Sequence, residues 1–150
     1  MSKFIFRLAA LLRLRESTRD QCRAALAEAY RVDDALGKQL QRVAAELEAL
    51  RKLRRQAAGP GTVNVDQLVE AHRYELAAGQ QQLQLTRQRQ TVATEIERRR
   101  QTLVEADREV RVLEKLRQRQ ADQHRLDEER KELKRLDEIA AQRAMREVAT

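Results

Sequence analysis

The sequence predicts an all-α chain, a long antiparallel two-helix coiled-coil hairpin with a C-terminal helix overhang. Three observations lead there. Aromatic residues make up only 3% of the 150 residues and charged ones 37%, with no Trp and four Gly. Abundant Ala, Glu, Arg and Leu with so little Gly or Pro marks long helices. Apolar residues recur at heptad spacing through most of the chain, and one proline, Pro60, sits between two glycines at the single evident break. Disorder competes for so polar a chain, and periodicity decides against it.

The first helix has the clearer period. Steps of three and four from Ile5 pass through Leu8, Leu12, Arg15, Arg19, Cys22, Leu26, Ala29, Asp33, Leu36, Leu40, Val43, Leu47, Leu50 and Arg54, and eleven of these fifteen positions are apolar. So narrow a stripe fits a coiled-coil seam better than the broad face of a globular-domain helix. Arg15, Arg19 and Asp33 in the seam cost stability and help to fix register. The opening stretch from Lys3 to Leu12 reads as the first helical turns, within reach of a membrane surface, rather than as a signal sequence. Arg7 interrupts its apolar run, and the heptads carry straight on.

Gly59-Pro60-Gly61 ends that helix. Gly59 can take the left-handed conformation that closes a helix, Pro60 cannot continue one, and Arg51, Lys52, Arg54 and Arg55 favour the negative helix end. Asn64 is the cap of the second helix, with Gln67 completing a capping box and Val63 and Leu68 a hydrophobic staple. A connection this short makes the helices antiparallel neighbours.

The second seam reads Leu68, Ala71, Glu75, Ala78, Gln82, Leu85, Arg89, Val92, Ile96, Arg99, Leu103, Ala106, Val110 and Leu113. Beyond Leu113 the same register would place Arg117, Gln120, His124 and Asp127 in the seam. A shifted register from Leu116 runs instead through Arg119, Gln123, Leu126, Glu129, Leu133, Leu136 and Ala140, a stutter or stammer. Across the turn Phe4 falls opposite Arg117, so residues from about 118 onward project past helix one by roughly 40–45 Å. The expected organisation is one coiled-coil domain over residues 1–150, with helix one at about 3–57, a turn at 58–63 and helix two at about 65–147. The Leu126, Leu133 and Leu136 stripe then either seeks a partner, with Phe4, Arg7 and Leu8 beside it, or frays in solvent. The hairpin itself is expected to be monomeric.

The net charge is +7, and Lys3, Arg7, Arg13 and Arg15 have no acidic counterpart within the first fifteen residues. Such a patch suits nucleic acid, anionic lipid or an acidic protein surface, or is a solvated basic face. The residues argue against nucleic acid, because stacking aromatics, zinc-finger spacing and a zipper-linked basic region are all missing. Catalysis is not expected. Cys22 lies on the seam as a small core filler, His72 and His124 are too far apart to share a metal, and none of Gly37, Gly59, Gly61 and Gly79 has phosphate-loop spacing. No catalytic residue, metal site, cofactor or small-molecule substrate is predicted, and no apolar run reaches the length of a membrane span.

The opening Phe4-Ile5-Phe6-Arg7-Leu8 with Leu11-Leu12 and Leu14-Arg15 resembles the start of flagellar export proteins of the FliJ type. The closing Leu113-Glu114-Lys115-Leu116, Leu136-Asp137-Glu138 and Gln142-Arg143-Ala144-Met145-Arg146 are similar too, at the right separation. The resemblance covers essentially the whole chain. It implies a non-enzymatic component of the bacterial flagellar type III protein export apparatus. That component is like the central stalk of rotary ATPases, binding the export ATPase hexamer by its terminal helices and contacting the cytoplasmic domain of the export gate and export chaperones. It also implies a cytoplasmic protein, peripheral at the inner membrane. In that family early second-helix aromatics touch the gate, and Tyr74, beside His72, is the matching position here. The stalk of injectisomes and a basic coiled-coil scaffold for nucleic acid or anionic lipid are the alternatives.

Overall fold

The computed structural model describes residues 2–150. It contains α1 (Ala9–Ala57) and α2 (Val65–Ala149), with no strand among the described residues. The two helices pack antiparallel as a hairpin, the fold class that the heptads predict. Contacts divide the chain into two compact units, one of Gln21–Leu103 and one of residues up to Asp20 with Val104–Thr150.

Gln21–Leu103 holds the turn. Helix α1 closes with Ala58 N–H donating to the Arg54 carbonyl and Gly59 N–H to the Gln56 carbonyl. The glycine with positive φ is Gly61, at 132°, and not Gly59 as the sequence suggests. Gly59 instead extends the helix end by that last hydrogen bond, and the chain reverses two residues later. Helix α2 starts on its predicted cap, with the Gln67 N–H 3.4 Å from Asn64 Oδ1.

The core of this unit is Val43, Leu47, Ala78 and Leu85, flanked by Leu36 and Leu40. Helix α1 supplies Val43, Leu47, Leu36 and Leu40, and α2 supplies one small residue, Ala78, and one large one, Leu85. Polar seam positions find partners across the pair. Arg54 is 2.8 Å from Glu75, and Arg89 Nε is 2.9 Å from Asp33 Oδ1. Arg99 donates to the Ala25 carbonyl, and the Arg100 guanidinium both lies 5.7 Å from the Tyr30 ring centroid and donates to its hydroxyl.

In the other unit Val110 is wholly buried among Phe6 and Leu12, with Phe4, Ala9, Leu113 and Leu116 around them. Here the sequence expectation needs correction. Helix α1 begins at Ala9, not at about residue 3, and residues 2–6 are not helical. An extended chain alternates its side chains between faces. Phe4 and Phe6 therefore turn toward α2 while Ile5, placed in the seam by the heptad reading, is 77% exposed.

Extension also lengthens the reach of the N-terminal segment. The Phe4 ring lies 5.8 Å from that of His124, and the Ser2 hydroxyl donates to Glu128 Oε1 at 3.0 Å. Cover over α2 thus continues to Glu128, and the uncovered overhang begins at about residue 129 rather than 118. The partly covered residues there are Ala121, Asp122, His124, Asp127 and Glu128, whereas Arg117 and Gln120 are exposed, so the original register is kept only at His124 and Asp127. At 100° per residue, Leu126 and Leu133 lie about 160–180° around α2 from His124, on the opposite side.

Candidate partner-binding surfaces

The terminal surface is assembled from the N-terminal segment and the end of α2. Ser2 is its anchor. Its N–H and hydroxyl both reach the Glu128 carboxylate, and His124 Nε2 lies 3.0 Å from its carbonyl oxygen. Lys131, with Nζ 2.9 Å from Oε1, and then Ser2 hold the Glu128 carboxyl at about 2, well below the usual range. Phe4 is half-buried by this arrangement, whereas Arg7 is exposed and Leu8 is 37% exposed. Phe4 therefore serves the fold as well as any partner.

On α2 every residue from Glu129 to Ala149 is exposed, including Leu133, Leu136 and Ile139. Leu126, within the stretch that Ser2 and Phe4 reach, is also exposed because it faces away from them. The structure thus turns Phe4 toward α2, leaves Arg7 and Leu8 exposed, and leaves Leu126, Leu133 and Leu136 bare on α2.

Tyr74 belongs to the other unit. It is exposed and borders a shallow groove of about 440 Å³ lined by Glu46, Ala49, Leu50, Ala77, Ala78 and Gln81. Alanines on α2 leave this space, and Leu50 and the Tyr74 ring give it an apolar wall. Farther along, Glu95 is held at about 2 by hydrogen bonds from Arg98 and then Arg99. Arg98 makes an i,i+3 pair at the helix surface, and Arg99 an i,i+4 pair that is half-buried at the seam. No cluster of three or more His, Cys, Asp or Glu able to hold a metal occurs among the described residues, and no helix there is long and apolar enough to cross a membrane.

A family model described as the flagellar FliJ protein matches residues 3–149. The chain belongs to the FliJ family. No curated protein and no solved structure matches it significantly. As a FliJ-family chain it is a component of the flagellar protein export apparatus, in a family whose role is non-catalytic.

Sequence reasoning missed Ser2, Phe6, His124 and Glu128, the residues that tie the N-terminal segment down. The alternation Lys3, Phe4, Ile5, Phe6, Arg7 was the available signal, and it is only five residues long. The Tyr74 groove had a signal as well, since Ala77 and Ala78 directly follow the tyrosine's own turn.

Proposed function

We propose that this FliJ-family chain is the stalk-like element of the export ATPase complex, docking on the ATPase hexamer by its terminal surface. The observation that carries the reading is the uncovered end of α2, where Leu133, Leu136 and Ile139 are about half exposed or more. Apolar side chains repeated along a solvated helix gain free energy when a partner covers them. A ring can surround a helix from all sides, which suits α2 beyond Glu129, where every side is bare. Arg7 and Leu8 are the contributions expected from the N-terminal segment. Coupling to the cytoplasmic domain of the export gate and to export chaperones belongs to the same reading, with Tyr74 and its groove as the gate contact and the inner-membrane face as the site of work.

Truncation after Glu129 removes the bare part of α2 and none of the residues that bind Ser2. The shortened chain should fold and no longer stimulate hydrolysis or assembly of the export ATPase. Stimulation at unchanged concentrations would show that this end is not the docking element. Tyr74→Ala should reduce capture by the gate's cytoplasmic domain and leave ATPase stimulation intact, and equal loss of both would remove the division of labour.

A further inference from the structure

The surface around the N-terminal segment carries basic and apolar groups side by side. Arg15 is ion-paired with Glu109 at 2.9 Å, but Lys3, Arg7 and Arg13 have no ion-pair partner among the described residues. Between them Ile5 is 77% and Leu14 62% exposed. Ile5 points outward because Phe4 and Phe6 take the inward positions of the extended segment, and Leu14 lies on the side of α1 away from buried Leu12. A groove of about 490 Å³ opens beside Ile5, with Leu14 outside its lining. Lys3, Arg13 and Arg117 stand around its apolar wall of Phe4, Ile5 and Phe6, and Glu16 is its only carboxylate.

We propose that this face docks on a membrane surface rich in anionic phospholipid. Lys3, Arg13 and Arg117 hold headgroup phosphates, Arg7 adds to the attraction, and Ile5 and Leu14 enter the boundary between headgroups and acyl chains. Charge complementarity explains the arginines, and the outward apolar side chains choose among anionic partners. Double-stranded nucleic acid offers phosphates but no apolar layer for Ile5 and Leu14. Single strands bind through stacked aromatics, whereas Phe4 and Phe6 are packed on α2. A lipid surface offers both a negative potential and hydrocarbon a few ångströms beneath it. With no helix among the described residues long and apolar enough to cross the bilayer, the proposed attachment is superficial and reversible.

This inference rests on the inner-membrane placement in the proposed function, but it needs neither the ATPase nor the bare end of α2, so vesicle binding and ATPase stimulation fail separately. They share Arg7 and compete for it.

The test is sedimentation of the full chain with large vesicles at physiological salt, comparing phosphatidylcholine alone with a phosphatidylglycerol–phosphatidylcholine mixture. Binding is expected only to the mixture. Each basic side chain near such a surface is worth about fivefold in affinity, so Arg7→Gln with Arg13→Gln should weaken binding by about 25-fold. Ile5→Ser with Leu14→Ser should also weaken it severalfold at constant charge. Arg143→Gln with Arg146→Gln, equal in charge but on the bare end of α2, should leave it unchanged. All these side chains are exposed, and circular dichroism verifies that each variant is folded. Failure to bind the mixture overturns the proposal. So does equal loss from the Arg143 and Arg146 pair, which would make the attraction one of net charge alone. Indifference to the Ile5 and Leu14 pair overturns it as well, leaving an electrostatic site for an acidic protein or nucleic acid.

Discussion

Val110 offers the sharpest test of the packing, because it is wholly buried while Val112, two residues along the same helix, is 65% exposed. Val110→Ala removes two methyl groups from the space shared with Phe6 and Leu12. Their transfer to water costs about 1.6 kcal/mol, and the partly collapsed cavity adds about 0.5–1 kcal/mol. Alanine is the better helix former by about 0.5 kcal/mol, which offsets part of that loss. The net destabilisation is about 2 kcal/mol. Val112→Ala has the same gain in helix propensity with almost nothing buried to lose, so it should be neutral or stabilising by about 0.5 kcal/mol. The same mutation at two neighbouring positions therefore differs by about 2–2.5 kcal/mol, with propensity cancelling in the comparison. Urea unfolding followed by far-ultraviolet circular dichroism measures the difference. Coincident midpoints, or a larger loss at Val112, would mean that the seam runs on another face of α2 and that the N-terminal segment does not pack where it is described.

Four further outcomes are expected. Leu40→Asp puts a charge beside the Val43 and Leu47 cluster and should cost several kcal/mol, whereas Gln41→Asp on the exposed side should cost far less; equal melting temperatures would refute the register. Labels at residues 12 and 109 should lie about 10 Å apart, as neighbouring packed helices do, and a separation beyond about 25 Å would refute antiparallel pairing in that unit. The Glu128 carboxyl, lowered from 4.5 to about 2, favours attachment of the N-terminal segment above its unfolded value, and this contribution is lost as pH falls through the folded value. Amide signals of Ser2 and Phe4 should therefore hold their bound positions at pH 5 and move toward those of Glu128→Gln near pH 2; identical shifts in the two proteins at pH 5 would show that Glu128 is no anchor. Gly61→Ala, at φ 132°, should destabilise by about 1–2 kcal/mol, while Gly79→Ala, with open space around its helical Cβ position, should stabilise by up to about 1 kcal/mol; matching effects at both positions would remove the special role of Gly61.

What was legible in the residues was whatever a continuous helix repeats. From Leu12 to Leu50 and from Leu68 to Leu113 the heptad positions are the covered ones, with Arg89 as an exposed but ion-paired exception. The turn and the Asn64 cap were legible because Pro60 and Asn64 have few other uses in such a sequence. The start of α1 was not, for a physical reason. Its first turn has no acidic residue, and no Ser, Thr, Asp or Asn directly precedes Ala9, so no local signal separates helix from extended chain. Packing of Phe4 and Phe6 against α2 decides it, and that contact is distant in sequence. The same omission misplaced the start of the overhang, since an extended residue advances about twice as far as a helical one. Of the candidate binding residues, Leu133 and Leu136 were placed on bare helix by reasoning about length alone. The anchoring role of Phe4 required its partner His124, 120 positions away.

The cross-helix ion pairs have a mechanical consequence within Gln21–Leu103. A purely apolar heptad seam is nearly indifferent to sliding by one whole repeat, about 10.5 Å along the axis, because leucine then meets another leucine or alanine. Sliding α2 by seven residues would bring Ile96 or Gln82 to Asp33 in place of Arg89, and Leu68 or Gln82 to Arg54 in place of Glu75. Each pair thus works as an index mark that recognises one alignment and penalises the next. A longitudinal pull on one helix would be carried to the other as shear across these marks instead of being dissipated by slippage. Axial displacement at one place in the unit then becomes displacement along its whole paired length.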